Sequence, residues 1–137
     1  MIKTTVSQVW RGNEVKIQGK KVIGKSIYEI GLIVEGKAKE LAPKDTGRLA
    51  ASITTQSSTE GTEPKGVGAV SSDKIQKPTS DSEVLVGTGT TYAIWNEYGT
   101  RFASAQPFLR PALDLARGSV LTIAQKNGKM YFKDYDK

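Results

Sequence analysis

Asp45-Thr46-Gly47 is the stretch of this sequence that most resembles a catalytic motif. Aspartic peptidases carry that triplet in an apolar strand–loop setting. Two copies set two carboxylates side by side, so that they share a proton. With one copy per chain, that chemistry would need a symmetric dimer, with Asp45 as the carboxylate catalyst. Here Lys44 and Arg48 flank the triplet and Pro43 precedes it. Pro43 has no N–H and its ring crowds the preceding turn, so it ends a helix and pushes Ala42 toward extended backbone. Asp45 can fold its carboxylate onto backbone N–H groups as an Asx-turn or N-cap, and Gly47 can take a positive φ at no steric cost. The stretch from Ala42 to Ile53 therefore reads as a stiff corner between a helix and a sheet.

Little else in the chain suggests a reaction. Its 137 residues include no cysteine and no histidine, which removes thiolate nucleophiles, disulfides and the commonest neutral-pH base. Gly87-Thr88-Gly89 lacks the rest of a phosphate-binding fingerprint and is not read as a nucleotide site. No catalytic, cofactor-binding or metal-binding residue is assigned, and no cofactor is expected.

The corner is positioned by the elements around it. From about Gly19 to Leu41 the pattern is helical, with Ile23, Ile27, Ile30, Val34, Ala38 and Leu41 forming one apolar stripe. Gly24, Gly31 and Gly36 are costly inside a helix; either another backbone approaches closely or they are simply tolerated. Residues 4–10 suggest a short strand, broken by Arg11-Gly12-Asn13, and Val15 and Ile17 extend a hairpin or lead into the helix. Leu49 to Ser58 reads as a strand, as does Glu83 to Thr88. Between them, residues 59–82 are long and polar and are expected to form a protruding arm, flexible in the isolated protein. Tyr92 to Tyr98 reads as a helical turn or two packed on the sheet through Ala93, Ile94, Trp95 and Tyr98. A second helix opens near Pro107, with Pro107 and Pro111 in its first turn. Its expected stripe is Leu109, Leu113, Ala116, Val120, Ile123 and Ala124, and Asn127-Gly128 is expected to stop it. Glu97 is expected to pair with Arg110.

These elements make one α+β domain over 1–127. It consists of a small antiparallel sheet packed against a long N-terminal helix and a C-terminal helix, followed by a tail over 128–137. No apolar run is long enough to span a bilayer, and Met1 to Thr5 lacks a signal-peptide core, so a cytoplasmic protein with no membrane partner is expected. The net charge of +6 is uneven. Residues 1–48 carry 10 basic and 5 acidic side chains, residues 49–100 carry 3 and 6, and residues 101–137 carry 7 and 3. Basic ends suit a polyanion such as DNA, or simply a solvated lysine-rich surface.

Five motifs follow one another in order: Ala42-Pro43-x-Asp45-Thr46-Gly47-Arg48-Leu49, Val86-Gly87-Thr88, Tyr92-Ala93, Tyr98-Gly99-Thr100, and Ala105-x-Pro107-Phe108-Leu109-Arg110-Pro111. Together they resemble the tail-completion, or head–tail joining, proteins of long-tailed bacteriophages and prophages, also called neck or minor tail components. The resemblance implies a virion structural protein without catalysis, made in the host cytoplasm and placed at the top of the tail. It also implies a ring, commonly of six copies, around the DNA channel, in contact with itself, with connector and tail proteins, and with DNA. The long 59–82 segment and the aromatic tail depart from the pattern. The alternative reading is a basic, non-sequence-specific DNA-binding module.

Overall fold

A computed structural model describes residues 11–45, 47–71, 73 and 75–133. The strand expected over 4–10, and Thr46 of the corner, lie outside the described residues. The order of elements is α1 (Gly12–Leu41), α2 (Arg48–Ser52), β1 (Ile53–Ser57), β2 (Val84–Thr88), α3 (Ala93–Tyr98) and α4 (Leu109–Phe132).

Helix α1 is longer than its apolar stripe suggested. It begins at Gly12, so of the two alternatives for Val15 and Ile17 the helix holds: both belong to it. It ends where Pro43 requires: Ala42 caps it in extended backbone, with ψ 138°. Helix α4 lies antiparallel beside it. Val34, Ala38 and Ala42 of α1 share a core with Phe108, Ala112 and Ala116. At the other end of the pair, the Asn127 side-chain amide donates to Ser26 Oγ at 3.1 Å and to Glu29 Oε2 at 3.3 Å.

Two expectations for α4 fail. Asn127-Gly128 does not stop the helix, which runs on to Phe132, because Asn127 is fully buried and spends its amide on α1. The buried line is Phe108, Ala112, Ala116, Ile123 and Asn127, so Leu113, Val120 and Ala124 face out. Small alanines let the two helices approach closely, whereas the larger leucines fit only on the outer face.

After the corner the chain turns helical for one more turn before it extends. Gly47 takes φ 69°, and the Ala51 N–H donates to its carbonyl at 2.9 Å. The strand expected from Leu49 therefore starts only at Ile53. Leu49, in this turn, and Ile53, at the start of the strand, are both buried in the core. The Ser52 hydroxyl donates to the Arg48 carbonyl at 2.7 Å and accepts the Val70 N–H at 2.7 Å.

Strand β1 pairs antiparallel with β2, Ile53 opposite Thr88 and Ser57 opposite Val84. All five β1 residues are buried, although four are polar. One face lies on α1. Gly31 allows this: a Cβ there would stand 2.7 Å from Thr55 Cγ2 and 2.9 Å from Val84 Cγ2. Of Gly24, Gly31 and Gly36, Gly31 is thus required by close approach. Gly24 sits near the Asp81 carbonyl, and Gly36 faces open space.

The first part of segment 59–82, residues 60–65, lies along β1. Gly61 bridges Gln56, the Thr62 N–H donates to the Thr55 carbonyl at 2.8 Å, and the Lys65 N–H reaches the Ala51 carbonyl at 3.1 Å. It folds back along the free edge of β1 and supplies the backbone partners that a third strand would.

The Thr55 and Thr62 hydroxyls both donate to Glu35 Oε2 at 2.7 Å, and Lys39 pairs with Glu35 Oε1 at 2.5 Å. The expected Glu35–Lys39 pair is therefore present and forms part of a larger network. Burial alone raises the Glu35 pKa. Hydrogen bonds from Lys39, Thr55 and Thr62 outweigh that effect and hold it below the ordinary value.

Gly31→Ala should lower the melting temperature, by an amount equivalent to about 1–3 kcal/mol, because the added methyl group presses on Val84 and on Thr55, which hydrogen bonds to Gly31 and Glu35 hold in place. Gly36→Ala in the same helix should raise stability by about 0.5–1 kcal/mol. Thermal unfolding of the two variants checks both signs. Gly47→Val should also destabilise, through the backbone alone.

Candidate functional site

The resemblance residues gather at one end of the molecule, where α1 stops and α4 starts. Pro43, Asp45, Arg48 and Leu49 line a cleft of ≈ 520 Å³ together with Trp95 and Thr100. Tyr98, Pro107, Arg110 and Pro111 line a second, more open groove beside it, with Leu41 and Leu115. The corner after α1 and the turn after α3 are thus neighbours in space.

Their roles differ. Leu49 and Phe108 are core residues, 2% and 0% exposed. Gly47 and Gly99 each have a positive φ, and Gly99 caps α3. Arg48 lies on the surface and donates through Nε to the Gly68 carbonyl at 3.1 Å, which ties the corner to segment 59–82. The Thr100 hydroxyl accepts the N–H groups of Phe102 and Ala103 and shapes the turn. Asp45 is exposed on the corner. It does not cap α2, whose N-cap is Gly47 with no side-chain hydrogen bond. The setting is a polar turn between helices, not the apolar strand–loop that peptidase chemistry uses.

The expected Glu97–Arg110 ion pair is replaced by two other contacts. The buried Glu97 carboxylate accepts three backbone N–H groups at the start of α4: Phe108 at 2.8 Å, Leu109 at 3.0 Å and Arg110 at 3.0 Å. A helix start leaves such groups without intrahelical partners, and an anion there also meets the positive end of the helix dipole. Burial alone raises the Glu97 pKa. The three backbone donors and the nearby Arg110 charge outweigh it, and the result lies below the ordinary carboxylate range. The Arg110 guanidinium instead stacks on the Tyr98 ring, 4.6 Å from its centroid, and donates to the Tyr98 hydroxyl at 3.0 Å. Both contacts fasten α3 to α4, so Glu97 and Arg110 serve the fold of this end.

Sequence reasoning missed how apolar the end is. Of the residues expected to pack α3 on the sheet, only Ala93 turns inward. Ile94, Trp95 and Tyr98 are each about 60% exposed, and Phe102, in the following turn, is 85% exposed with Arg101 over its ring. The available signal was Phe102 itself, an aromatic residue in a loop between Gly99 and Pro107 with no helical or strand period to bury it. Contiguous exposed aromatic surface marks contact sites on soluble proteins. The end offers shape, apolar area and a guanidinium, which suits protein–protein contact.

A family model, "Bacteriophage HK97-gp10, putative tail-component", matches residues 13–99. That span runs from the first turn of α1 to the end of α3 and covers more than half of the chain. No curated protein and no solved structure matches the chain. The chain belongs to the HK97-gp10-like family of phage tail components.

Glu97→Ala should destabilise the protein by about 1–2 kcal/mol, the usual cost of losing a helix cap. Because the pKa values of Glu35 and Glu97 are depressed in the folded state, the stability they contribute is complete above the unfolded value of 4.5. That stability falls away as pH drops through the lower folded values. Chemical denaturation between pH 7 and 3 should show the loss, and Glu97→Gln should reduce its slope.

Proposed function

We propose that this tail component acts at the neck of a long-tailed phage or prophage, where it completes the tail and joins it to the DNA-filled head. It works as a ring, six copies in the virion, around the channel that DNA crosses. Its role is structural, without catalysis. Subunits are made in the host cytoplasm and end in the virion. Its neighbours are other copies of itself and the connector and tail proteins above and below.

The observation that carries this reading is the exposed apolar end formed by α3 and its turn, in a chain whose family is a tail component. Ring subunits meet through two different surfaces, head to tail, and each needs a face that is stable in water yet ready to be covered. Ile94, Trp95, Tyr98 and Phe102 form such a face on a rigid base, since Glu97 and Arg110 hold it to α4. The corner residues Pro43, Asp45, Gly47 and Arg48 and the turn Tyr98-Gly99-Thr100 frame it.

Particles made without this gene should separate into filled heads and free tails under negative-stain electron microscopy. Purified protein should restore joining in such lysates. Trp95→Ala with Phe102→Ser should keep the fold, because both side chains are largely exposed, yet fail to restore joining. Complete infectious particles in the absence of the gene would overturn the neck reading.

A further inference from the structure

The net charge of the chain is concentrated at the end opposite the apolar face. The N-terminal half of α1 carries Arg11 (just before its first turn), Lys16, Lys20, Lys21 and Lys25, and the last turns of α4 carry Lys126 and Lys129, followed by Lys133. Lys25 lies 5.6 Å from the centre of the Tyr131 ring, so these two stretches are side by side. Residues 11–29 and 126–133 together hold eight basic side chains and two acidic ones, Glu14 and Glu29. Their balance, +6, equals the charge of the whole chain; the other residues sum to zero.

All eight cations are exposed, and among the described residues none of them is in an ion pair. Helix α1 continues for 13 residues from Lys25 back to Gly12, about 20 Å at the usual helical rise. This end is therefore a rod with an excess of positive charge, which Glu60 and Asp81 in the groove shared with Lys20, Lys21 and Lys25 reduce only in part.

We propose that this cationic end of the α1–α4 pair is a contact surface for the phosphate backbone of duplex DNA, without sequence preference. The charges are mainly lysines, which act as mobile point charges rather than as planar forks aimed at base edges. Duplex DNA presents one negative charge per about 1.7 Å of axis, a density that this rod can meet over several phosphates. An anionic membrane fits less well. A helix that lies in a bilayer surface separates its apolar and basic faces. Here, at 100° per residue, Lys16 and Lys20 fall between Ile23 and Ile17 around the helix, so no such face exists. The contact runs over the outer lysines. The groove beside them carries carboxylates from Glu29, Glu60 and Asp81, which repel phosphate.

The inference rests on charge placement and is independent of the neck reading. Fluorescence anisotropy of the full chain with a labelled random-sequence duplex, at about 0.15 M salt, tests it. At that ionic strength charges interact over only about 8 Å, so a distant substitution has little effect. The expected result is binding whose log affinity falls with log salt at a slope of about −3 to −5, equal for unrelated sequences. Lys20→Glu with Lys21→Glu and Lys25→Glu should weaken it at least a hundredfold. Lys65→Glu with Lys77→Glu and Arg101→Glu makes the same change in net charge elsewhere and should weaken it less than fivefold. Circular dichroism confirms that both triple variants are folded. No binding by the parent protein overturns the proposal. So does an equal loss in the two triples, or tighter binding to poly-glutamate or to phosphatidylserine vesicles than to the duplex. Each of these results leaves the lysate experiment on head–tail joining unaffected, so the two readings fail separately.

Discussion

Glu35 lies on the buried side of α1, where a carboxylate must be matched by donors or a cation. Thr55 of β1, Thr62 of the returning segment and Lys39 one turn along α1 supply that match. Helix α1, strand β1 and the segment that follows it are thereby brought to one pair of oxygens. The contact is possible only because Gly31, one turn earlier, lets the β1–β2 pair approach the helix backbone. A two-stranded antiparallel ribbon is marginal in water on its own. Here it is stable because one face is covered by α1 and the free edge of β1 is taken by Gly61 and Thr62. Without the Gly31–Glu35 turn there would be little to hold the sheet, the segment after it, or the corner that leads into β1.

The paired helices then act as a spine with unlike ends. At one end, α1 stops at Pro43 and α4 starts on the Glu97 carboxylate, and the intervening chain presents Ile94, Trp95, Tyr98 and Phe102 to solvent. At the other end, seven exposed lysines and an arginine outnumber the carboxylates around them. The two surfaces call on different forces. Apolar surface gains from being covered by a shaped protein partner and is little affected by salt. Charge attracts a polyanion at longer range and is screened by salt. On the functions proposed for them, the two ends would engage a protein neighbour and a nucleic acid separately.

Several residues that look like contact residues in the sequence turn out to hold the contact surface in shape. Glu97 caps α4, Arg110 is stacked on Tyr98, and Thr100 closes the turn around Phe102 and Ala103. An exposed aromatic patch on a loose loop would lose conformational freedom when covered, and affinity would fall accordingly. Fixing α3 and its turn in the free subunit removes much of that cost. Segment 59–82 follows the same logic. Its length and polarity suggest an arm, yet its backbone is used along β1 and its Gly68 carbonyl receives Arg48.

The local signals in the sequence were strong wherever one residue type has only one option. Pro43 ended α1, Gly47 took the positive φ, and the β-branched run Val84–Val86 formed a strand, because backbone sterics decide these without reference to the rest of the chain. The α+β class, with two long helices and an antiparallel pair, followed from the same signals, as did the phage tail family from the order of the motifs. Only the tertiary structure decided which residues each element buries. The stripe of α4 was misread because its spacing admits two faces, and the close approach of α1 selected the one with alanines and Asn127. The start of β1 moved to Ile53 because the chain takes one helical turn after Gly47, closed by the Ala51 N–H on the Gly47 carbonyl. Glu97 went to a helix start rather than to Arg110, and Asn127 continued a helix it was expected to end. For Glu97 and Asn127 the partners lie outside the local sequence window, and burial of a polar group made partners obligatory.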